Sequence, residues 1–377
     1  MKICFAVSTP LTLKAFLLPL IRALLTAGHR VDIVANTHES DLLLALDIDA
    51  RLTYAPIERT VAPMTDLRAV FVLWRIFRGG RYDAVHSLTS KVGLLTMLAA
   101  WLARVPVRVH CFTGQTWAVR TGWKRSFLKA MDWLIAKLAT DVLADSPSQR
   151  NFLESHGVVQ RGRICVLGYG SISGVDCERF APDAAMRKQV RATFGIGADD
   201  VLLLFLARVK RSKGVLELVE AFRGLAEANQ HVHLLVVGPD EEGLEDLLAG
   251  FAIPRFHRKA GFVTSHENFL KAADIFCLPS HYEGFGSVVI EAAACGVPAV
   301  AANVYGLSDA VEDGITGLLH AVGDTASLQR QLLRLVMDVQ LRQTMGEHAR
   351  TRAMRDFRQD EVVRQYLEFY RKRMVGG

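Results

Sequence analysis

No stretch of this chain is long and apolar enough to span a bilayer, which takes roughly 18 to 20 apolar residues. The longest uncharged candidate run, Val92 to Ala103, is ended by Arg104. The apolar start, Met1 to Val7, is followed by Lys14 and Arg22 with no small-x-small cleavage site, so a removable leader is not expected. The six cysteines, at 4, 111, 165, 177, 277 and 295, show no Cys-x-x-Cys spacing, and three sit in apolar strand-like runs. That argues against a zinc site and implies reduced thiols in a cytoplasmic protein. No Asp-x-Asp pair stands at the end of an expected strand, so no essential divalent ion is expected. Acid is nearly missing between Arg68 and Lys129, where Asp83 stands against eleven basic residues.

What is present describes a globular chain. Half of the 377 residues are apolar and 22% are charged, a balance foreign to disordered segments. The length exceeds one ordinary core and predicts two domains. The net charge of +6 is uneven. In the acid-poor stretch the basic residues (Arg68, Arg75, Arg78, Arg81, Lys91, Arg104, Arg108, Arg120, Lys124, Arg125, Lys129) interleave with Phe71, Trp74, Phe77, Tyr82, Trp101, Trp117, Trp123 and Phe127. Nucleic acid, an anionic membrane surface or a phosphorylated substrate would each explain this, as would a solvated basic face over buried aromatics. No RNA- or DNA-binding module accompanies the charge, so nucleic acid is disfavoured.

Short apolar runs alternate with longer amphipathic segments. Ile3–Val7, Val31–Ala35, Ala84–His86, Val107–Cys111 and Val142–Ala144 read as strands; Ala15–Ala27, Leu67–Arg78, Gly93–Ala103 and Lys124–Leu138 read as helices. Gly168 to Pro182 loses this periodicity, as an interdomain connection would. The alternation then resumes. Strands are expected at Val201–Leu206, His233–Val237, Ile275–Leu278 and Pro298–Ala301, with helices at Leu216–Glu227, His266–Ala272, Ser287–Ala294 and Ser327–Asp338. Such alternation predicts an α/β fold with a parallel sheet in each half, and ligands at the carboxyl ends of the strands. Gln340 to Arg373 is charged and helical in pattern, and is expected to pack across the domain boundary.

The chemistry concentrates in Leu278-Pro-Ser-His-Tyr-Glu283-Gly-Phe-Gly286-Ser-Val-Val-Ile-Glu291. A buried strand breaking at Gly-x-Gly and opening a helix aims backbone N–H groups and the positive helix end at one spot. Carboxylates beside such an anion cradle suggest a ligand that is both anionic and rich in hydroxyls. Upstream, Arg208 ends a strand and Lys213-Gly214 opens a helix, so a bidentate cation and a mobile one can converge on a diphosphate.

With these motifs the chain carries, in order, Val236-Val-Gly238-Pro-Asp, Ala260-Gly261-Phe-Val, Gly296-Val-Pro298 after the paired glutamates, and Val311-Glu-Asp-Gly-Ile-Thr-Gly317-Leu. This set resembles the retaining glycosyltransferases of family four, which have the GT-B fold of two Rossmann-like domains facing a central cleft. The likeness covers nearly all of the C-terminal half. His110-Cys-Phe-Thr-Gly114-Gln-Thr-Trp117 further resembles bacterial members that build capsule and O-antigen repeat units on a polyprenyl diphosphate.

The resemblance implies an acceptor domain over residues 1–170, a C-terminal helix at about 355–377 packing back on it, and a donor domain over 171–354. Arg208 and Lys213 would neutralise the departing nucleoside diphosphate, and Glu283 would contact donor-sugar hydroxyls. The amides of Gly284, Phe285, Gly286 and Ser287 would cradle sugar and phosphate. Glu291 would accept the ribose hydroxyls, while Gly238, Gly261 and Phe262 would flank the base. No cofactor beyond the nucleotide sugar would be required. The implied partners are a UDP-linked hexose or N-acetylhexosamine, a lipid-linked saccharide, and the anionic cytoplasmic face of the inner membrane.

Two departures concern the N-terminal half. Relatives carry glycines in the first loop, whereas Ser8-Thr-Pro-Leu-Thr12-Leu-Lys14 has none; hydroxyls such as that of Thr12, with Lys14, would replace the missing amides or serve the acceptor. Thr113 occupies the place before Gly114 where relatives often have a histidine. The nearby His110 is then either a catalytic group or a buried strand residue. A nucleotide-sugar epimerase of the same fold is the main alternative activity, and the Glu283-x7-Glu291 pair argues against it.

Overall fold

The computed structural model describes residues 1–38, 42–58, 60 and 62–375. The chain divides into two compact units, Met1–Ser173 with Gln359–Gly377, and Gly174–Arg358. Residues 376 and 377, the end of the expected C-terminal helix, lie outside the described residues. Among the described residues no helix is long and apolar enough to cross a membrane.

The first unit is built on β1 (Lys2–Ala6), β2 (Arg30–Ala35), β3 (Arg51–Tyr54), β4 (Ala84–Leu88), β5 (Val107–Phe112), β6 (Asp141–Ala144) and β7 (Ile164–Val166). They form one parallel sheet in the order β3-β2-β1-β4-β5-β6-β7. Helix Gln359–Val375 belongs to this unit and buries Val362, Tyr366 and Tyr370 in the core that holds Ile3, Phe5 and Ile33. One expected helix is altered. Over Ala15–Ala27 the chain makes a wide π-type turn at Leu13–Leu17 and only then the α-helix Leu18–Thr26. Pro19 explains the change, because it has no N–H to donate and its ring crowds the carbonyl one turn back.

The second unit holds β8 (Val201–Leu206), β9 (Val232–Gly238), β10 (Phe256–Ala260), β11 (Ile275–Leu278), β12 (Ala299–Ala302) and β13 (Gly317–His320). Its sheet is also parallel, in the order β10-β9-β8-β11-β12-β13. All residues of β8, β9, β11 and β12 are buried, as continuous apolar runs covered on both faces should be. Helix Val215–Ala228 buries Val215, Leu218, Val219, Phe222, Leu225 and Ala226, one stripe at helical spacing. β8 and β11 are neighbours, yet the chain leaves β8 toward β9 and leaves β11 toward β12. Their carboxyl ends therefore flank the topological switch point, where open α/β sheets bind ligands.

β3, β7, β10 and β13 were not expected from the sequence, and they are the four sheet edges. An edge strand has one neighbour and a partly wet face, so it can be short and polar. Arg51–Tyr54 and Phe256–Ala260 contain no fully buried residue, and Ile164–Val166 is three residues long.

Candidate active site

Two loops meet at the switch point of the second unit. The loop after β8 runs through a 3-10 turn, Arg211–Lys213, to Gly214 and helix Val215–Ala228. The loop after β11 runs from Pro279 to Gly286 and helix Ser287–Ala294. Gly214 is in the left-handed region (φ +71°) and lies so close to the second loop that a Cβ would fall 2.1 Å from the Pro279 carbonyl oxygen. The Ser212 carbonyl accepts the His281 N–H at 3.0 Å. Across this junction the Lys213 ammonium pairs with Glu283 Oε1, which also accepts the Ser280 hydroxyl at 2.9 Å.

Arg208 points to a different carboxylate. Its guanidinium pairs with Glu241 at 2.9 Å, and Lys210 reaches the same carboxylate at 3.9 Å. Burial lowers the Lys210 pKa, and the neighbouring Arg208 and Lys213 cations lower it further against the pull of Glu241 and Glu242. Arg208, Lys210 and Lys213 are thus one basic cluster, held by the carboxylates Glu241 and Glu283. The sequence reading overlooked Lys210; the spacing Arg208-x-Lys210-x-x-Lys213 was the available signal.

Helix Ser287–Ala294 starts on Gly286, whose φ of +85° turns the chain into the helix. A Cβ on Gly286 would sit 2.5 Å from Leu307, and one on Gly306 would sit 2.6 Å from the Gly284 carbonyl oxygen. Glycine lets the Leu307 side chain pack on Gly286 and the Gly284 backbone pack on Gly306, leaving the first N–H groups of the helix as the polar feature of the turn. Like Gly284 and Gly286, Phe285 offers the cradle backbone alone: its ring is buried and packs on Phe357 with centroids 5.2 Å apart.

Glu291 lies on the same helix and accepts a hydrogen bond from His266 Nε2 at 3.0 Å. His266 is a second contributor not evident in the sequence, where its position marks only the expected start of helix His266–Ala272. Gly238 ends β9 (φ +139°), where a Cβ would meet the Ala207 carbonyl oxygen at 2.0 Å, and its own carbonyl accepts from Arg258 at 2.6 Å. Gly261 (φ +83°) has open space around it, and Phe262 is 63% exposed.

In the first unit Thr12 lies in the turn after β1, its hydroxyl 3.2 Å from that of Thr9. His110 requires a correction. It is fully buried on β5, with Nδ1 hydrogen-bonded to Ser87 Oγ at 2.9 Å, its ring edge-on to Phe112, and Gly93 of helix Ser90–Leu102 packed on it. Burial pushes its pKa down to about 3, so it stays neutral. An imidazole sealed under a helix cannot touch a substrate, and the catalytic reading of His110 gives way to the buried-strand one. The aromatics of the acid-poor stretch also divide. Phe77, Tyr82 and Trp117 are core residues, while Phe71, Trp101, Trp123 and Phe127 are exposed.

Sequence comparison accords with this architecture. The family model described as glycosyl transferases group 1 matches residues 186–352, and that of the glycosyl transferase 4-like domain matches residues 13–170. A capsular polysaccharide biosynthesis glycosyltransferase, CapM of Staphylococcus aureus, is 28% identical over 83% of this chain and 82% of its own. The UDP-Gal:alpha-D-GlcNAc-diphosphoundecaprenol alpha-1,3-galactosyltransferase of Escherichia coli is 26% identical, covering 86% and 85%. The D-inositol 3-phosphate glycosyltransferase of Paenarthrobacter aurescens is 31% identical, covering 79% and 74%. Among solved structures, HepE of Anabaena with UDP and glucose superposes with a TM-score of 0.80 over 98% of this chain and 99% of that one, at 20% identity. The chain belongs to the family-four glycosyltransferases of GT-B fold, with relatives in capsule and repeat-unit synthesis.

Proposed function

We propose that this glycosyltransferase moves a sugar, with retention of configuration, from a UDP-linked hexose or N-acetylhexosamine to a polyprenyl-diphosphate-linked saccharide. The observation that carries the proposal is the junction at the switch point, where a lysine, a glutamate and a helix N-terminus converge. Arg208 and Lys213, with Lys210 beside them, neutralise the diphosphate as it leaves, and charge placed where charge develops is the largest catalytic term. That cluster supplies the positive charge a divalent ion would otherwise bring, so none is required. Glu283 orients donor hydroxyls, the Gly284–Ser287 amides hold sugar and phosphate, and Glu291 accepts the ribose hydroxyls. Gly238, Gly261 and Phe262 border the base, and Thr12 serves the acceptor side. In the reaction the anomeric C–O bond breaks and its electron pair stays on the diphosphate. The acceptor oxygen bonds to the anomeric carbon on the same face, and its proton passes to the leaving phosphate oxygen.

Two similar proteins support the choice of substrates: the Escherichia coli relative is named for a UDP-linked donor and a diphosphoundecaprenol acceptor, and HepE was solved with UDP and glucose. The test is a screen of UDP-, GDP- and ADP-sugars with a polyprenyl-diphosphate saccharide, with and without EDTA. Acceptor-dependent turnover of a UDP-sugar, insensitive to EDTA, is the expected result. Conversion of the sugar without any acceptor would instead identify an epimerase.

The acceptor reading places the enzyme at the cytoplasmic face of the membrane, held by its first unit. Helix Pro63–Gly80 exposes Met64, Leu67 and Phe71 at helical spacing, with Arg75 over the Phe71 ring. Helix Gly122–Leu138 exposes Trp123 and Phe127, with Lys124 over the Trp123 ring. Aromatics of this kind dip into the interface while the cations meet anionic lipid. Binding to anionic vesicles should therefore fall as salt rises and weaken in Trp123→Ala/Phe127→Ala. Equal binding to neutral vesicles, or none to anionic ones, would refute it.

A further inference from the structure

His281 lies between the two ends of the junction and contributes to neither the basic cluster nor the cradle. Its backbone N–H donates to the Ser212 carbonyl at 3.0 Å, and its Nε2 donates to Glu217 Oε1 at 2.8 Å. Ser212 belongs to the turn carrying Lys213, and Glu217 to the first turn of the helix which that turn opens. Glu283 stands two residues beyond His281 on the other loop. One residue thus ties the lysine-bearing turn to the glutamate-bearing loop through both its backbone and its side chain. The backbone tie does not depend on pH, but the side-chain tie does, because an imidazolium and a carboxylate attract where a neutral imidazole shares a single hydrogen bond.

We propose that the His281–Glu217 pair is a pH-dependent clamp that positions Lys213 and the Glu283 loop for the nucleoside diphosphate of the donor. His281 is a positioning residue, acting on the diphosphate through Lys213 and the cradle amides. The proposal rests on the assignment of this junction as the donor site.

The groups around the pair allow the switch. Glu217 interacts electrostatically with both His281 and His320 of β13, and His320 also with Asp324. His320 is buried, donates Nδ1 to the Ala321 carbonyl at 2.8 Å, and leaves Nε2 without a partner among the described residues. Burial lowers the His320 pKa, so it stays neutral and does not compete as a cation for Glu217. Across the loop, Lys213 and Glu283 neutralise each other. His281 is then the one group of this set whose charge changes near neutral pH. Its hydrogen bond to Glu217 raises its pKa above the ordinary 6.5 against the opposing effect of burial. The same bond lowers the Glu217 pKa, keeping the carboxylate ionised. The charged clamp is therefore closed below the raised imidazole pKa and loosens as pH rises through it.

The test is titration calorimetry of the full chain with UDP, and with GDP and ADP in parallel, from pH 6 to pH 9. The tightest of the three is carried through His281→Gln, His281→Ala, Glu217→Gln and Lys213→Ala. The phosphate's own ionisation is common to all variants and cancels in the comparison. A hydrogen bond between charged groups is worth enough to change binding by about tenfold or more. Relative to His281→Gln, wild-type affinity should fall about tenfold between pH 6 and pH 9. His281→Gln keeps an N–H donor for Glu217 and should show only the pH response of the phosphate's own ionisation. His281→Ala should bind about tenfold more weakly than wild type at pH 6, with no such pH response, and Glu217→Gln should also lose the response. Parallel pH profiles for wild type and His281→Gln would overturn the clamp, as would wild-type binding by His281→Ala. If Lys213→Ala binds the diphosphate like wild type, the donor-site assignment itself fails. If Lys213→Ala binds weakly while the pH profiles coincide, only the clamp fails.

Discussion

Replacing Lys213 by alanine should lower kcat/KM for the nucleotide sugar by about a thousandfold, most of it in kcat. Removing one preorganised group that stabilises developing charge typically costs about 10²- to 10³-fold in kcat, and here the loss has a second component. Lys213 is the cation that pairs with Glu283, whose remaining partner at the same oxygen is the Ser280 hydroxyl. Without the ammonium, the loop bearing Glu283 loses its charge partner on the turn after β8, and the negative diphosphate approaches an uncompensated carboxylate. Lys213→Arg keeps the charge but not the compact ammonium geometry, and should recover part of the rate. Glu283→Ala should lose less binding of UDP than Lys213→Ala, because its proposed contact is to the sugar. Steady-state kinetics with the donor identified in the screen would measure these effects. Turnover by Lys213→Ala within about threefold of wild type would remove the lysine from the mechanism.

The largest effect on stability is expected at the neighbouring residue. Gly214→Ala should destabilise the C-terminal unit by about 3 to 5 kcal/mol, combining left-handed strain with overpacking. The alanine Cβ would lie 2.1 Å from the Pro279 carbonyl oxygen and 2.7 Å from its carbon, and backbone cannot rotate away as a side-chain tip can. Relief requires the loops after β8 and β11 to part, which also opens the junction at Lys213 and His281. Gly243→Ala is the matched control. Gly243 has nearly the same φ, +68°, and open space around it, so its substitution should cost about 1 to 2 kcal/mol of strain alone. Urea midpoints of the two variants, compared with UDP binding, separate strain from close approach. Equal losses would mean that the packing of Gly214 on Pro279 contributes nothing.

Much of the fold could be read from local pattern. β1, β2, β4, β5 and β6, and β8, β9, β11 and β12, coincide with apolar runs because an interior parallel strand is covered on both faces and must be apolar throughout. The edge strands β3 and β10 were invisible for the opposite reason, having no buried residue; β7 is only three residues long, and β13, though largely buried, has two apolar residues between Gly317 and His320. The Glu283-to-Glu291 segment was legible because strand, turn and helix start are consecutive in the chain. Lys213-Gly214 was legible for the same reason.

The partners of those residues were not. Lys213 meets Glu283 from 70 positions away, His281 meets Glu217 from 64, Arg208 meets Glu241 from 33, and Glu291 meets His266 from 25. His110 shows the limit from the other side: its sequence neighbours suggested an active site, and Gly93 on another element put it in the core. The sequence by itself determined two alternating α/β halves and the segments able to bind an anionic, hydroxyl-rich ligand, since periodicity, glycine freedom and helix starts are properties of consecutive residues. Only the tertiary structure decided that β8 and β11 lie side by side, and therefore which cation meets which carboxylate. That choice depends on strand order, which brings distant segments together through buried area and backbone pairing and leaves no mark on the local pattern.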